Sequence, residues 1–441
     1  MGWIRRIALF LGVMLLPIGA ASITAGAAPP AALRAGGLDP TFGTAGTVTT
    51  DFGGLGMGGS ASATAIQPDG KIVAAGQFGS DNDFIAFALA RYNTDGSLDS
   101  SFGTGGTVTT VIGGASALAI QPDGKIIVVG RSRALLDGSR RFAIARYNAD
   151  GSLDSSFGGG GVIVPAIGQG GGANAVAIQP DGKIVAAGNS GDNFAVMRID
   201  TDGGVDPTFG AGGIATTDLS SPSERSSSEV RAIAIQPDGK IVAVGDDKID
   251  PANTNATVVA VARYNANGTL DSSFGNVGGG GGVVLKPVTG VDVTTSVALQ
   301  ADGKIVTAGG GSFGAGFPTP HQFVLTRWDV DGNLDEHFGQ DGVVTTSLGP
   351  GSVANGLAIR SDGKILAVGV SGGDGGVLVR YNPDGSLDGS FGNGGTVIGQ
   401  TPRLDPVDVA VQADGKIVII GDVNIALHHG AFAVARFLAE A

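Results

Sequence analysis

The tripeptide Asp-Gly-Lys begins at Asp69, Asp123, Asp181, Asp238, Asp302, Asp362 and Asp414, seven copies about 57 residues apart in a chain of 441. Two further signatures keep step with it. An arginine followed by an aromatic or branched residue recurs at Arg91, Arg146, Arg198, Arg263, Arg327, Arg380 and Arg436. Leu-Asp-x-x-Phe-Gly places its phenylalanine at Phe42, Phe102, Phe157, Phe209, Phe274, Phe338 and Phe391, with Val205 for leucine once. Such a chain is an array of like modules, not the three domains that its length alone would predict at roughly 150 residues each. Glycine (79 residues) and proline (19) make up more than one residue in five, so turns are dense. With 42% hydrophobic and 15% charged residues there is still ample material for a core.

Each unit reads as four short strands. In the first, Ser62 to Gln67 leads through Pro68-Asp69-Gly70 into Lys71 to Gly76, and Asp-Gly at that junction predicts a two-residue type I′ hairpin turn. Phe84 to Asn93 is the third strand, and a turn over Thr94 to Gly106 delivers Thr107 to Val111 as the fourth. The second strand, Ile72-Val73-Ala74-Ala75, is apolar on both faces, as a strand between two neighbouring sheets must be. The third strand of the next unit sets Phe142 and Ile144 on one face and Ala143 and Ala145 on the other, so that large side chains meet small ones. Four-stranded sheets packed face to face in a ring make a β-propeller. The fold expected is therefore all-β, a seven-bladed β-propeller of four-stranded blades. A parallel β-solenoid is the alternative, but its coils usually take fewer residues than this period. Phasing also predicts closure: the chain opens with only a Leu-Asp-x-x-Phe-Gly turn and a fourth strand, and it ends at Phe437 after three strands. An N-terminal strand then completes the last blade and removes an open edge. Each arginine lies eight residues before a motif aspartate in six units, from Arg91 with Asp99 to Arg380 with Asp388, which leaves Arg436 and Asp39 to pair with each other through a two-pronged guanidinium contact.

Ala65-Ile66-Gln67-Pro68-Asp69-Gly70-Lys71-Ile72-Val73-Ala74-Ala75-Gly76 and Ala90-Arg91-Tyr92-Asn93-Thr94-Asp95-Gly96-Ser97-Leu98-Asp99-Ser100-Ser101-Phe102-Gly103 resemble the delta-60 repeat family. The resemblance runs from Leu38 to Phe437 and implies a β-propeller; that family has no established common activity. Some copies drift: Ala301, Ser361 and Ala413 replace the turn proline, and Arg198-Ile199-Asp200 lacks the aromatic.

With 40 acidic against 27 basic residues the net charge is -13, which argues against nucleic-acid partners. The lack of cysteine excludes disulfides, thiolate zinc sites and cysteine nucleophiles. Arg5-Arg6, the apolar run Ile7 to Leu16 and the small residues Ala25-Gly26-Ala27 read as a signal peptide, with cleavage after Ala27 or Ala21. The apolar run is too short to span a bilayer. The expected organisation is a signal peptide over 1–27, a linker over 28–37 and one propeller over 38–438. Its closing strand is placed at 46–51 and its blades at about 60–111, 115–165, 173–217, 230–286, 294–347, 353–399 and 406–438. A secreted monomer with no membrane insertion after cleavage is expected.

The repeated motifs read as scaffold. Asn93 to Asp99 resembles an oxygen-rich calcium loop, but Arg91 stands at the first ligand position. Gly310-Gly311-Ser312-Phe313-Gly314 and Gly369-Val370-Ser371-Gly372-Gly373 match a nucleophile elbow without its strand-to-helix setting. His337 replaces a serine or threonine in a repeated turn and reads as a solvated substitution, and adjacent His428-His429 lack metal-ligand spacing on one strand face. No cofactor, metal ligand or catalytic residue is therefore assigned.

Function is expected on the other rim, where loops differ from unit to unit on a rigid scaffold. The candidate binding residues are Asp81, Asp83, Arg131, Arg133, Asp246, Asp247, Phe313, Phe317, His321, Asp374 and His428. They favour a non-enzymatic scaffold that binds a protein or glycan. The alternative is a carboxylate-based hydrolase or lyase at the axial mouth of that rim, which requires acids from three or more blades to meet at one point.

Overall fold

The computed structural model describes residues 34–440 apart from 54–57, 80–84, 134–138, 167–169, 220–227, 249–256, 276–280, 289–290, 292, 311–321, 350, 373–374, 402–403 and 427–428. The expected signal peptide lies outside the described residues. Among the described residues are twenty-eight strands in groups of four. The first sheet is β2 (Gly58–Ile66), β3 (Ile72–Gly79), β4 (Ala86–Tyr92) and β5 (Thr107–Thr110). The second is β6–β9 (Gly113–Ile120, Ile126–Ser132, Phe142–Tyr147, Val162–Ile163) and the third β10–β13 (Gly171–Ile178, Ile184–Ser190, Asn193–Ile199, Ile214–Thr217). The fourth is β14–β17 (Ser228–Ile235, Ile241–Lys248, Thr257–Tyr264, Val283–Lys286), and the fifth is β18–β21 (Val293–Leu299, Ile305–Gly310, Phe323–Trp328, Val343–Thr346). The sixth is β22–β25 (Val353–Ile359, Ile365–Ser371, Gly375–Tyr381, Thr396–Ile398), packed against the fifth and bridged to it by one strand pair, Gly310–Val353. The last sheet holds β26 (Asp405–Val411), β27 (Ile417–Ala426) and β28 (His429–Phe437), completed by β1 (Thr47–Thr50) in the order β1-β28-β27-β26. Every sheet is antiparallel, and the first strands contact one another in cyclic order, with β26 returning to β2. This is an all-β array of four-stranded sheets consistent with a propeller.

Apolar clusters lie between consecutive sheets. Ile127, Val129, Phe142 and Ile144 face the third sheet, while Ile126, Val128, Ala143 and Ala145 face the first. The large and small sides of one strand therefore serve two different interfaces, as the alternation predicts.

The turn at Asp-Gly-Lys differs from expectation. Gly70 N donates to Gln67 O at 2.8 Å and Gln67 N to Lys71 O at 2.8 Å, so the loop is Pro68-Asp69-Gly70, a three-residue hairpin. Gly70 takes a left-handed φ of 83° and Asp69 does not. The shared cause is the glycine: Gly70, Gly124, Gly182, Gly239, Gly303, Gly363 and Gly415 all take a φ of 81–86°, ending a three-residue loop in the left-handed region, and the loop is the same where Ala301, Ser361 and Ala413 replace proline.

The repeated motifs converge on one buried arginine per unit. Arg91 Nε donates to Asp99 Oδ2 at 2.8 Å, and Asp99 also holds Lys71 Nζ at 2.9 Å. The same arginine lies 4.6 Å over Phe102, gives Nη2 to Ser101 and sends Nη1 to Ala149 O in the next sheet. The fork is thus divided between two sheets instead of clasping the carboxylate with both prongs, a correction to the expected contact. The node recurs around the structure, and Arg436 Nε meets Asp39 Oδ2 at 2.9 Å with Nη1 on Thr94 O of the first sheet. The residues left over at the two ends of the chain pair as their spacing predicts.

Breaking a buried pair leaves its partner uncompensated. Asp39→Ala is expected to cost about 3–5 kcal/mol in equilibrium urea unfolding, close to Asp99→Ala, although its arginine is 397 residues away in sequence. An Asp39→Ala variant as stable as the parent would show that the terminal strand does not hold the last sheet.

Candidate functional site

The Asp-Gly-Lys and Leu-Asp-x-x-Phe-Gly turns share one rim, and most of their polar groups are engaged internally. Asp95 Oδ1, the carboxylate nearest a calcium ligand in its loop, accepts Ser97 N at 2.9 Å and Ser97 Oγ at 2.6 Å. Among the described residues no group of three His, Asp or Glu is placed to hold a metal ion. Ser371 of the second Gly-x-Ser-x-Gly match is buried and donates to Leu348 O at 2.7 Å, a structural bond.

At the opposite rim the first strands each carry a bulge at the same position: Ser62, Ser116, Asn174, Arg231, Thr295, Asn355 and Val407. A bulge re-aims a side chain. Here several reach the next sheet, with Asn174 Nδ2 donating to Val230 O, Thr295 Oγ1 to Ala354 O and Asn355 Nδ2 to Pro406 O at 2.7–2.8 Å.

One charged cluster draws on three sheets at the end of these strands. Glu229 is its centre: Asn174 Nδ2 donates to its Oε1 at 2.7 Å, Arg231 Nη2 lies 3.1 Å from Oε2, and Arg131 Nη2 lies 3.9 Å from Oε1. Arg231 Nε also reaches Asp246 Oδ1 at 3.1 Å. Arg131 extends from the second sheet across Gly172 of the third, where an added Cβ would stand 2.9 Å from its Nε, so glycine there clears its path. The two arginine side chains stay 46% and 38% exposed, which makes this polar surface accessible to a ligand.

Of the predicted site residues, Arg131 and Asp246 meet in this cluster. Asp247 is fully buried on the opposite strand face and accepts Ser228 Oγ at 2.7 Å, so it is not part of the accessible surface. Arg133 follows β7 and gives its backbone N–H to Ile112 O. Asp81, Asp83, Phe313, Phe317, His321, Asp374 and His428 lie outside the described residues. Asn174, Glu229 and Arg231 were not singled out from sequence; their signal was a polar residue in strands otherwise rich in alanine and isoleucine.

A second polar group sits where the last sheet meets the first. Asp408 occupies a position held by Ala63, Ala117, Ala175, Ala232, Ser296 and Gly356 elsewhere, and its Oδ2 accepts Thr64 N at 2.8 Å. Asp422 accepts Ala61 N at 2.6 Å and Ser60 Oγ at 2.8 Å. Burial pushes the Asp408 carboxyl up to about 6, against bonds from Thr64 and Val409. Burial likewise raises Asp422, with the Asp405 charge adding to it. The acids of the rim thus fall into separate groups, Glu229 with Asp246 and Asp405 with Asp408 and Asp422. Acids from three sheets do not converge among the described residues.

Five segments of the chain, residues 67–102, 121–157, 179–209, 236–274 and 360–391, match the family described as domain of unknown function (DUF5122) beta-propeller, and these matches support a β-propeller repeat family. No curated protein matches the sequence. Among solved structures the chain is similar to an ulvan lyase described as a new family of polysaccharide lyase, at 12% identity and a TM-score of 0.50, over 89% of this chain and 96% of that one. It is also similar to an inactive variant of virginiamycin B lyase from Staphylococcus aureus, at 12% identity and a TM-score of 0.48, over 88% and 98% of the two chains. A gluconolactonase from Xanthomonas campestris matches at 15% identity and a TM-score of 0.40, over 80% and 90%. The ulvan lyase likeness shows the fold alone.

The two sets of carboxylates give opposite pH dependences. Burial raises Asp99, but bonds from Ser101 and Lys71 and the charge of Arg91 outweigh it and hold the carboxyl well below its usual range. Asp271 and Asp388 follow the same pattern, and Asp335 is held at about 2. Stability from these depressed groups is present above about pH 4 and is lost as pH falls toward their folded values. Asp408 is raised, so the folded state takes up its proton first and stability increases as pH falls from about 6 to 4. Thermal unfolding across pH 3 to 8 is expected to peak between about 4 and 6, with Asp408→Asn flattening the upper limb and leaving acid unfolding in place. An unchanged upper limb in that variant would remove Asp408 as its source.

Proposed function

We propose that the chain is an exported seven-bladed propeller of the delta-60 repeat type that acts as a non-enzymatic binding scaffold, contacting a protein or glycan through its variable rim. The cluster of Arg131, Asn174, Glu229, Arg231 and Asp246 carries this reading, because side chains from three sheets meet at one accessible place while most polar groups of the repeated rim bond internally. Twenty-eight strands fit seven blades of four, and the cyclic contacts of the first strands support that count. A scaffold is favoured over a carboxylate hydrolase because Glu229 and Asp246 come from one sheet and each lies against an arginine.

The test compares Arg131→Ala/Glu229→Ala with Asp95→Ala/Asp150→Ala, the latter on exposed repeated turns. Both are passed over a glycan array and over the extracellular proteins of the source organism. Ligands of the parent chain are expected to lose at least about tenfold affinity in the first variant, about 1.4 kcal/mol, and to be retained in the second. Equal losses in both, or release of cleaved products from a bound glycan, would overturn the scaffold reading.

A further inference from the structure

One repeated turn departs from the pattern in two neighbouring places, His337 and Asp341. In six units the second residue after the motif aspartate is a hydroxyl: Thr41, Ser101, Ser156, Thr208, Ser273 and Ser390. It donates to the aspartate at 2.6–2.7 Å and accepts the arginine Nη2 at 3.1–3.3 Å. The fifth sheet has His337 instead. Its side chain is 91% exposed with Nδ1 3.4 Å from Asp335, and Arg327 Nη2 turns to the His337 carbonyl at 3.3 Å. Gln340 stands at a position that varies among the turns, with Thr44, Thr104, Gly159, Ala211 and Asn393 elsewhere. Asp341 takes a left-handed φ of 52° where the aligned Gly105, Gly212 and Gly394 lie at 63–68°. Among the described residues Ala45, at 53°, is another non-glycine at this position. A Cβ added at Gly105, Gly212 or Gly394 would meet nothing within 4 Å, so a side chain here projects into open space.

Ala45 shows that the left-handed φ alone is tolerated in this turn, so the signal is the charged Asp341 standing beside the His337 substitution. His337, Gln340 and Asp341 all line one groove of about 1030 Å³ along the outer edge of the fifth sheet, together with Lys286 and Gln322. A second hollow of about 590 Å³ shares Lys286 and Asp341 with it and adds Glu336. The corresponding grooves beside β1 and β5 measure about 680 and 490 Å³; they share an aspartate (Asp95, Asp150) and apolar side chains (Val48 and Leu98, Phe52 and Val108), and the rest of their lining is threonine, serine and glycine.

We propose that the outer groove of the fifth sheet binds a neutral oligosaccharide through His337, Gln340 and Asp341. Imidazole, amide, ammonium and carboxylate groups stand over an aliphatic floor of Leu334, Val343 and Val344, which matches sugar rings with hydroxyl edges and C–H faces. Asp341, Asp384 and Glu336 outnumber Lys286 in the two hollows, and the chain carries -13 overall, which repels phosphorylated, sulfated and uronic ligands. This site lies on a repeated turn, against the expectation that recognition is confined to the variable rim, and is independent of the Arg131 cluster.

The natural test restores the repeat's own residues. The full chain and His337→Ser/Asp341→Gly are titrated calorimetrically with cellohexaose, maltohexaose, xylohexaose, mannohexaose and chitohexaose, and their thermal midpoints are compared. At least one sugar is expected to bind the parent with Kd below about 1 mM and to weaken tenfold or more in the double variant, whose midpoint is unchanged or higher. The proposal is overturned if no sugar binds, if affinity is the same in both proteins, if an oligolysine peptide binds in preference to every sugar, or if the double variant is less stable, which would make these residues folding choices. Loss of sugar binding in Arg131→Ala instead would assign the sugar to the mouth and also overturn it.

Discussion

A guanidinium divided between two sheets holds the ring together. Each buried arginine bonds the aspartate of its own sheet, rests on a phenylalanine and reaches a backbone carbonyl of the next sheet; Arg380 Nη1, for example, meets Ala439 O at 2.6 Å. Burying seven such cations is costly unless carboxylate, hydroxyl and carbonyl all arrive together. Because the three signatures supply one node, they stay in register along the sequence. The lysine of Asp-Gly-Lys completes the node from outside, from Lys125 on Asp154 at 3.1 Å to Lys416 on Asp39 at 3.5 Å.

That division of labour frees the opposite rim. With the arginine layer and the inter-sheet apolar clusters fixing the geometry, the sixth position of the second strand tolerates glutamine, arginine, asparagine or aspartate, as Gln77, Arg131, Asn189, Asp246 and Asp422 show. Arg131 and Asp422 both lean over the following sheet, one toward Glu229 and the other onto Ala61 N. The same backbone position thus serves a charged surface in one place and an inter-sheet latch in another.

The sequence made the strands, the alternation of Phe142 and Ala143, and the pairing of Arg436 with Asp39 legible, because each follows from a repeated spacing. It hid what depends on which groups meet in space. Nothing in the spacing says that Lys71 and Arg91 share Asp99, nor that the glycine of Asp-Gly-Lys closes a three-residue loop and not a two-residue one. The candidate site was half legible: Arg131 and Asp246 stood out as charges on variable segments, whereas Glu229 and Arg231 sit inside a strand whose bulge cannot be read from one sequence. His337 was visible as a substitution, but its neighbourhood with Asp341 and Lys286 is a property of the groove.

The pairing of β1 with β28 also sets a clock on synthesis. Thr50 faces Phe432, so the first strand emerges long before the residue it bonds exists. At about 5–20 residues per second the ribosome leaves it without a partner for roughly 20–80 s. Over that interval the growing chain presents two unsatisfied sheet borders, one on the strand waiting at its start and one on the most recent hairpin. Neither is covered until β28 is made and brings both to the same place.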